Sequence, residues 1–244
     1  MNFFRRSKRQ LSCVLMCLLT ICSVFIVGCS NSQQTPESPT FTSEEATKQY
    51  SYAVYLGLDK STFEDLLTMK VDDNEYKLIP ASNNSKYREY WTSLVTKDEN
   101  YVKLFFQNRQ GVNREQAISK FNNYIGAMWN FQGVPDELFF ITAVNGKFAG
   151  IIMCSGLTSE NTVTIGYITA KEYAGQGIAT NSLKIMVKLI KHLNSTKFCH
   201  ASTASVWIFD DNPASVAVAN NNGFVYQEHD SENNKSRYST SILE

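Results

Sequence analysis

Residues 138–153 are apolar on both sides of one polar interruption, Asn145-Gly146. An Asn-Gly pair between hydrophobic runs predicts a two-residue hairpin, with strands over Leu138 to Val144 and Phe148 to Met153. A turn at Ser159-Glu160-Asn161 leads into a further β-rich run, Thr162 to Thr169. The period then changes: Ala179, Leu183, Met186, Leu189 and Ile190 share one face of a helix. Upstream, Tyr76 to Ile79 reads as a short strand ending at Pro80. Lys86 to Val95 reads as a helix with Tyr87, Tyr90, Trp91 and Leu94 inward. Asn113 can cap a second helix whose Ala117, Ile118, Phe121, Tyr124, Ile125 and Met128 keep helical spacing. Downstream come a strand over Phe198 to Ile208, a short helix over Pro213 to Asn220, and Gly223-Phe224. A last strand, near Val225 to Tyr226 and Tyr238 to Ile242, closes the pattern. The order is strand, two helices, a three-strand meander, helix, strand, helix, strand. That is an α/β domain with a mixed sheet, occupying residues 73–244.

The first 72 residues follow other patterns. Arg5, Arg6, Lys8 and Arg9 precede an uncharged apolar run from Leu11 to Val27, the layout of a secretory signal. The run ends Ile26-Val27-Gly28-Cys29, which resembles the bacterial lipobox. That resemblance implies a signal peptide over residues 1–28 and lipidation of Cys29. An uncleaved anchor helix competes with it, since the run is about long enough to span a bilayer. Both readings place the following domain outside the cytoplasm, as an exported, membrane-anchored protein. Residues 29–48 are rich in Ser, Thr, Gln, Pro and Glu and read as a flexible tether. Residues 49–72 read as a small appendage, with Ser61-Thr62-Phe63-Glu64 as a capping box opening a helix through Met69. Packing against the main domain is the expectation for it.

Composition narrows the function. At 244 residues, 43% of them hydrophobic, the chain can bury one substantial core. Lys plus Arg and Asp plus Glu balance at 23 each, so net charge gives no argument for a nucleic-acid partner. Of six cysteines, only Cys154 and Cys199 lie in the main domain. They have no metal-ligand spacing and read as two buried thiols, with a disulfide between them left open.

The stretch with chemistry is Gly175-Gln176-Gly177, between the Thr162 strand and the following helix. A turn of this kind delivers free backbone amides to a helix N-terminus, where amides and helix dipole both favour an anion such as a pyrophosphate. Glycine permits close backbone approach. By itself a G-x-G before a helix is equally a tight connection.

Two motifs together resemble the GNAT superfamily of acyl-CoA-dependent N-acyltransferases, nearest its ribosomal-protein-alanine acetyltransferase branch. The first is Ile165-Gly166-Tyr167-Ile168, then Glu172-Tyr173-Ala174-Gly175-Gln176-Gly177-Ile178-Ala179-Thr180. The second is Asn212-Pro213-Ala214-Ser215, then Val218 and Asn222-Gly223-Phe224. The resemblance spans about Asp73 to Leu243 and implies a mainly antiparallel twisted sheet flanked by helices. It implies acetyl-CoA as co-substrate and a small-molecule or peptide amine as acceptor. Tyr167, Ile168 and Thr169 would run beside the pantetheine arm. Gly175, Gln176, Gly177, Ile178, Ala179 and Thr180 would cradle the pyrophosphate, and Asn212 would meet the arm or a water.

The chain also departs from the family pattern. Ala174 stands where the phosphate loop usually has Gln or Arg, and Ala219 where many relatives place a Tyr that protonates the leaving thiolate. Thr164 and Trp207 stand where some relatives carry acidic residues. No recognised acid or base survives; Asp210, Asp211, Glu137 and His200 are substitutes that could act through water, but each reads first as a solvated loop carboxylate or an ordinary sheet-edge residue. Cys199 lacks a basic partner and reads as a strand thiol. Tyr90, Trp91, Tyr101, Phe105 and Phe106 fall on the acceptor side in relatives, where core packing explains them equally well. Export adds a conflict, because acyl-CoA is cytoplasmic. A catalytically silent GNAT fold acting as a binding module therefore stands beside the enzyme.

Overall fold

Eight strands, counted in chain order, make one sheet ordered 1-2-3-4-5-6-8-7, and every neighbouring pair is antiparallel except the fifth with the sixth. A computed structural model describes residues 53, 56–97, 112–128 and 136–243. All of these fall in one unit, Glu37–Glu244. Cys29, where lipidation is expected, the expected signal peptide and tether, and Tyr101, Phe105 and Phe106 lie outside the described residues.

The chain enters through α1 (Lys60–Leu67) and β1 (Thr68–Val71), then β2 (Asn74–Pro80), α2 (Ser85–Lys97) and α3 (Arg114–Met128). The meander is β3 (Glu137–Val144), β4 (Lys147–Ser155) and β5 (Thr162–Thr169). Helix α4 (Ile178–Ser195), β6 (Thr203–Phe209), α5 (Pro213–Asn221), β7 (Val225–Asp230) and β8 (Lys235–Ser241) complete it. The mixed, mainly antiparallel sheet is as the pattern and the resemblance imply.

Four sequence expectations change. The expected boundary at residue 73 falls inside a hairpin: β1 pairs with β2 across the turn at Asp72-Asp73, so Thr68–Val71 extends the sheet itself. Helix α1 is capped by Asp59, not Ser61. The Asp59 carboxylate accepts from Thr62 N at 3.0 Å, Thr62 Oγ1 at 2.6 Å and Ser61 Oγ at 2.7 Å, leaving Ser61 no capping role. The helix ends at Leu67, and Met69 sits in β1. The strand expected from Phe198 starts only at Thr203. Lys197 adopts φ 63°, Phe198 and Cys199 both donate their amides to Leu193 O, and Asn194 Nδ2 holds Ala201 O at 2.8 Å. The chain is still finishing the helix there. The last strand proves to be a hairpin, with β8 inserted between β6 and β7.

Other expectations hold. Asn145 and Gly146 take φ 49° and 76°, as a tight hairpin turn with two left-handed residues requires. Asn113 caps α3 reciprocally: its Oδ1 accepts from Gln116 N at 2.9 Å, and Gln116 Oε1 accepts from Asn113 N at 3.1 Å. Trp91 is fully buried and donates Nε1–H to Ala117 O at 2.8 Å, tying α2 to α3. Its ring, with Phe121 and Tyr124, packs on Phe139 of β3. Helices α2 and α3 thus cover one face, while α4, which buries Leu183, Met186, Leu189 and Ile190, packs on the other together with α1 and α5. Cys154 and Cys199 are free, buried thiols.

Two predictions follow from the sheet. A Cβ on Gly150 would collide with the Ile168 carbonyl oxygen and lie 2.8 Å from Thr142 Oγ1. Gly150→Ala therefore forces β4 and β5 apart and should cost at least about 2 kcal/mol in denaturant unfolding. Asp136, just before β3, receives Thr158 and Ser159 through their amides and hydroxyls at 2.8–3.0 Å. Burial pushes its carboxyl up, but those four hydrogen bonds outweigh burial and hold it below the ordinary range. A depressed carboxylate stabilises the fold above its unfolded pKa and loses that contribution as pH falls through the folded one. Asp136→Asn should melt lower than the native chain at pH 7, and the gap should narrow as pH falls below the ordinary aspartate range.

Candidate functional site

The parallel ladder between β5 and β6 has three pairs, Thr162 with Thr203, Val163 with Ala204, and Thr164 with Ser205. Beyond Thr164 the strands separate. β5 keeps its antiparallel partner β4 as far as Thr169, and β6 keeps β8 as far as Phe209. The facing edges of Ile165 to Thr169 and Val206 to Phe209 are left without a strand between them. A cleft of about 630 Å³ occupies the gap.

The cleft runs from that gap to the glycine turn. A short 3-10 turn, Lys171–Tyr173, leads out of β5, with Tyr173 N bonding to Ala170 O at 2.9 Å. Gly175 and Gly177 both take φ 76°, a left-handed conformation costly to any residue with a Cβ. Gly177 serves as the N-cap of α4 without a side chain, and Asn181 N bonds to its carbonyl at 2.9 Å. Among the described residues, the amides of Gly175, Gly177, Ile178, Ala179 and Thr180 have no backbone acceptor. Five free donors at the positive end of an 18-residue helix form an anion cradle.

Tyr167, Ile168, Thr169, Gly175, Gly177, Ile178, Ala179, Thr180 and Asn212 all line this one cleft. Gln176 does not. Its side-chain Nε2 donates to Glu172 O at 3.0 Å, its amide donates to Tyr173 O, and its carbonyl accepts the Tyr76 hydroxyl at 3.2 Å. Its part is to hold the turn in shape. Asn212 caps α5, its Oδ1 accepting from Ser215 N at 3.0 Å, so only its Nδ2 is left to face the cleft. Pro213 follows at the first helical position, where its missing N–H costs nothing.

Three contacts that support the site are long-range and carry no local sequence signal, although Tyr167 and Asn222 themselves stand in the two motifs. Tyr76, one hundred residues before Gln176, reaches across from β2 to pin the turn. Asn222 ties α5 to the first turn of α4 through Thr180 O at 3.2 Å. Tyr167 sends its hydroxyl across the cleft to Ser215 O at 3.3 Å, with burial pushing its pKa up to about 12, so it stays a donor at neutral pH.

The proton-transfer candidates separate clearly. Ala219 is fully buried under α5 and does not line the cleft, whereas Ala174 and Trp207 do. Asp210 is engaged by His229 Nε2 at 2.9 Å and Ser236 Oγ at 3.3 Å. Asp211 and His200 are exposed. The Cys199 thiol is buried, and burial pushes its pKa up, so it is no nucleophile. Trp207 lies under Lys235 and Arg237 of β8, at 4.9 and 5.9 Å from the ring centre. Glu137 is half-buried on the face that carries α2 and α3.

Solved structures share this architecture. A ribosomal L7/L12 alpha-N-protein acetyltransferase (RimL) in complex with coenzyme A superposes with a TM-score of 0.58 at 17% identity, covering 72% of this chain and 98% of its own. The microcin C7 self-immunity acetyltransferase MccE, in complex with acetyl-CoA and AMP, does so with a TM-score of 0.54 at 22% identity, covering 72% and 96%. The spermidine N-acetyltransferase of Vibrio cholerae, in complex with CoA and spermine, has a TM-score of 0.55 at 14% identity, covering 68% and 95%. At such identities the likeness is one of fold. No curated protein matches the chain in sequence. The family profile described as "Acetyltransferase (GNAT) domain" matches residues 79–225, more than half of the chain and all of the cleft. The chain belongs to the GNAT acetyltransferase family.

Proposed function

We propose that the protein transfers an acetyl group from acetyl-CoA to a primary amine on a small molecule or peptide. One observation carries this reading: the open edge of β5 and the five free amides of the glycine turn line the same cleft. An extended, amide-bearing arm ending in a pyrophosphate has the chemistry those two surfaces lack. A strand edge binds an amide chain as it binds another strand, and a helix N-terminus binds phosphate. The cradle also has little room for added bulk, since a Cβ on Gly177 would meet Asn181 Nδ2 at 3.3 Å and Tyr76 Oη at 3.7 Å. The three solved relatives named above hold CoA or acetyl-CoA, which supports the same ligand here.

In this reading Gly175, Gly177, Ile178, Ala179 and Thr180 hold the pyrophosphate by their amides, without help from a side chain at Ala174. Tyr167 to Thr169 align the arm, and Asn212 Nδ2 faces it or a bridging water. Acetyl-CoA supplies the activated acetyl group. The chain holds the acyl carbon where an amine can reach it, at the point where β5 and β6 part. A free strand amide there would stabilise charge developing on the acyl oxygen. Most of the acceleration comes from that placement. Lipidation of Cys29 would anchor the domain to a membrane, a reading that rests on the basic segment and the Ile26-Val27-Gly28-Cys29 sequence. Among the described residues, no helix is long and apolar enough to cross a membrane.

Titration calorimetry of the full chain in detergent should show acetyl-CoA binding, with an affinity in the range of roughly 1 µM to 1 mM. A thiol-release assay over a panel of amines should show turnover. Gly177→Trp, which places a side chain at φ 76° against Asn181, should abolish both. Absence of heat at millimolar acetyl-CoA would refute the cofactor assignment, and binding without thiol release on any amine would leave a cofactor-binding module. For the anchor, Cys29→Ala should move the protein out of the membrane fraction and remove the lipid mass from its N-terminal peptide. An unchanged fraction would favour an uncleaved helix.

A further inference from the structure

The register of the sheet draws a line of polar side chains across strands that are otherwise apolar. Glu137 of β3 sits opposite Ser155 of β4, Ser155 opposite Thr164 of β5, and Thr164 opposite Ser205 of β6. Directly opposed residues point to the same face, with Cβ atoms about 4.5–5.5 Å apart. The face is fixed by Phe139, two residues from Glu137, which packs on Trp91, Phe121 and Tyr124 of α2 and α3. It is therefore the face opposite the glycine turn and α4. The line ends at Thr164 and Ser205, the last pair before the strands separate, with their hydroxyls 3.4 Å apart. Ser205 is buried, 1% exposed, in a strand whose Ala204, Val206 and Ile208 are buried and apolar.

We infer that Glu137 accepts the proton released by the attacking amine, through the hydroxyls of Ser205, Thr164 and Ser155 and the waters between them. This rests on the acetyl-transfer reading. A hydroxyl both donates and accepts, so a row of them can pass a proton along without itself becoming charged. Thr164 and Ser205 approach directly at 3.4 Å, and a water can bridge hydroxyls of the row that do not touch. The far end of the row needs a carboxylate with no other engagement. Among the described residues, the Glu137 carboxylate makes no hydrogen bond and no ion pair. The charged and titratable groups on its face are Lys120 and Tyr124 on α3, with its chain neighbour Asp136 adding a like charge. Burial, reinforced by Asp136 and opposed by Lys120, raises its pKa above the ordinary glutamate value, in the direction that makes it a better base near neutral pH.

The chemistry balances. The amine nitrogen forms a bond to the acyl carbon as the carbon–sulfur bond breaks, and sulfur leaves as thiolate. The amine proton passes along the row to the Glu137 carboxylate, which returns it to solvent, and the thiolate takes a proton from solvent water. Glu137 acts at one remove from the reacting atoms and does not touch them.

The test uses the full chain and its Glu137→Gln, Glu137→Asp and Thr164→Val variants. Acetyl-CoA binding by calorimetry should be equal in all four, because the row lies on the other face from the cradle. Glu137→Gln should lower kcat about a hundredfold and remove the fall of kcat at acid pH, and Glu137→Asp should restore part of the rate. Thr164→Val should slow the reaction similarly while the carboxyl at 137 stays intact. A measurement without substrate accompanies these. A carboxyl with a raised folded pKa favours the fold below its unfolded pKa and loses that advantage as pH rises. Glu137→Gln should therefore melt higher than the native chain at pH 8 and alike at pH 3. Glu137→Gln with kcat within twofold of native and the same pH profile would overturn the relay. So would normal binding of acetyl-CoA by a native chain that turns over no amine, which leaves the cofactor assignment standing. Failure of the native chain to bind acetyl-CoA would overturn both.

Discussion

The cleft depends on where the ladder between β5 and β6 stops. Three parallel pairs hold the strands together, and after Thr164 and Ser205 each strand follows its other neighbour. Backbone amides and carbonyls are obligatory hydrogen-bonding groups, so a strand edge opened inside a sheet is a surface waiting for a partner. The fold supports it on both sides. β4 holds β5 along its length with Gly150 tucked under Ile168, and β8 is inserted beside β6. Without β8, β6 would have little reason to keep its course away from β5.

The same separation explains why the glycine turn is a site rather than a connection. Elsewhere in the sheet, left-handed residues at Asn145 and Gly146 close a hairpin, and Asn145 spends its side chain on Glu75 N and Asn74. At Gly175 and Gly177 the same backbone geometry opens the chain onto the cleft, leaving five amides free. Tyr76 and Gln176 supply the fixing bonds from outside, so nothing inside the cradle has to. This division keeps donors free and still rigid, which is the condition for binding an anion without first paying to order the loop.

Much of this was legible in the chain, and the exceptions have physical causes. The meander, α4 and the caps at Asn113 and Asn212 were readable because each has a local signal: Asn-Gly, a helical period, a capping residue. β7 and β8 were half missed because Lys235 to Ser241 carries no apolar alternation; it stands between two strands whose sides are partly exposed. Strand β1 was missed because Thr68 to Val71 is only four residues long, and its partner is recognised only once the Asp72 turn is formed. The glycine turn and Asn212 could be named as site residues from two motifs. The partners that hold them, Tyr76 and Asn222, act over separations of 100 and 42 residues respectively, where no spacing rule applies.

The missing family groups read differently once the faces are known. Ala219 packs into the core, so the loss of a tyrosine there leaves no hole in the cleft. An aromatic wall is supplied from the opposite side by Tyr167, whose hydroxyl meets α5 at Ser215 O. Thr164, where some relatives carry a carboxylate, keeps a polar atom at the parting of the strands and shares it with Ser205. A charge at Thr164 would lie beside the buried Ser205, with no cation among its described neighbours to offset the desolvation. At Glu137, two strands away, Lys120 opposes the penalty of burial and the carboxylate remains half-exposed. In this chain the sheet can bear a charge at the far end of the polar row more easily than at the point where the strands part.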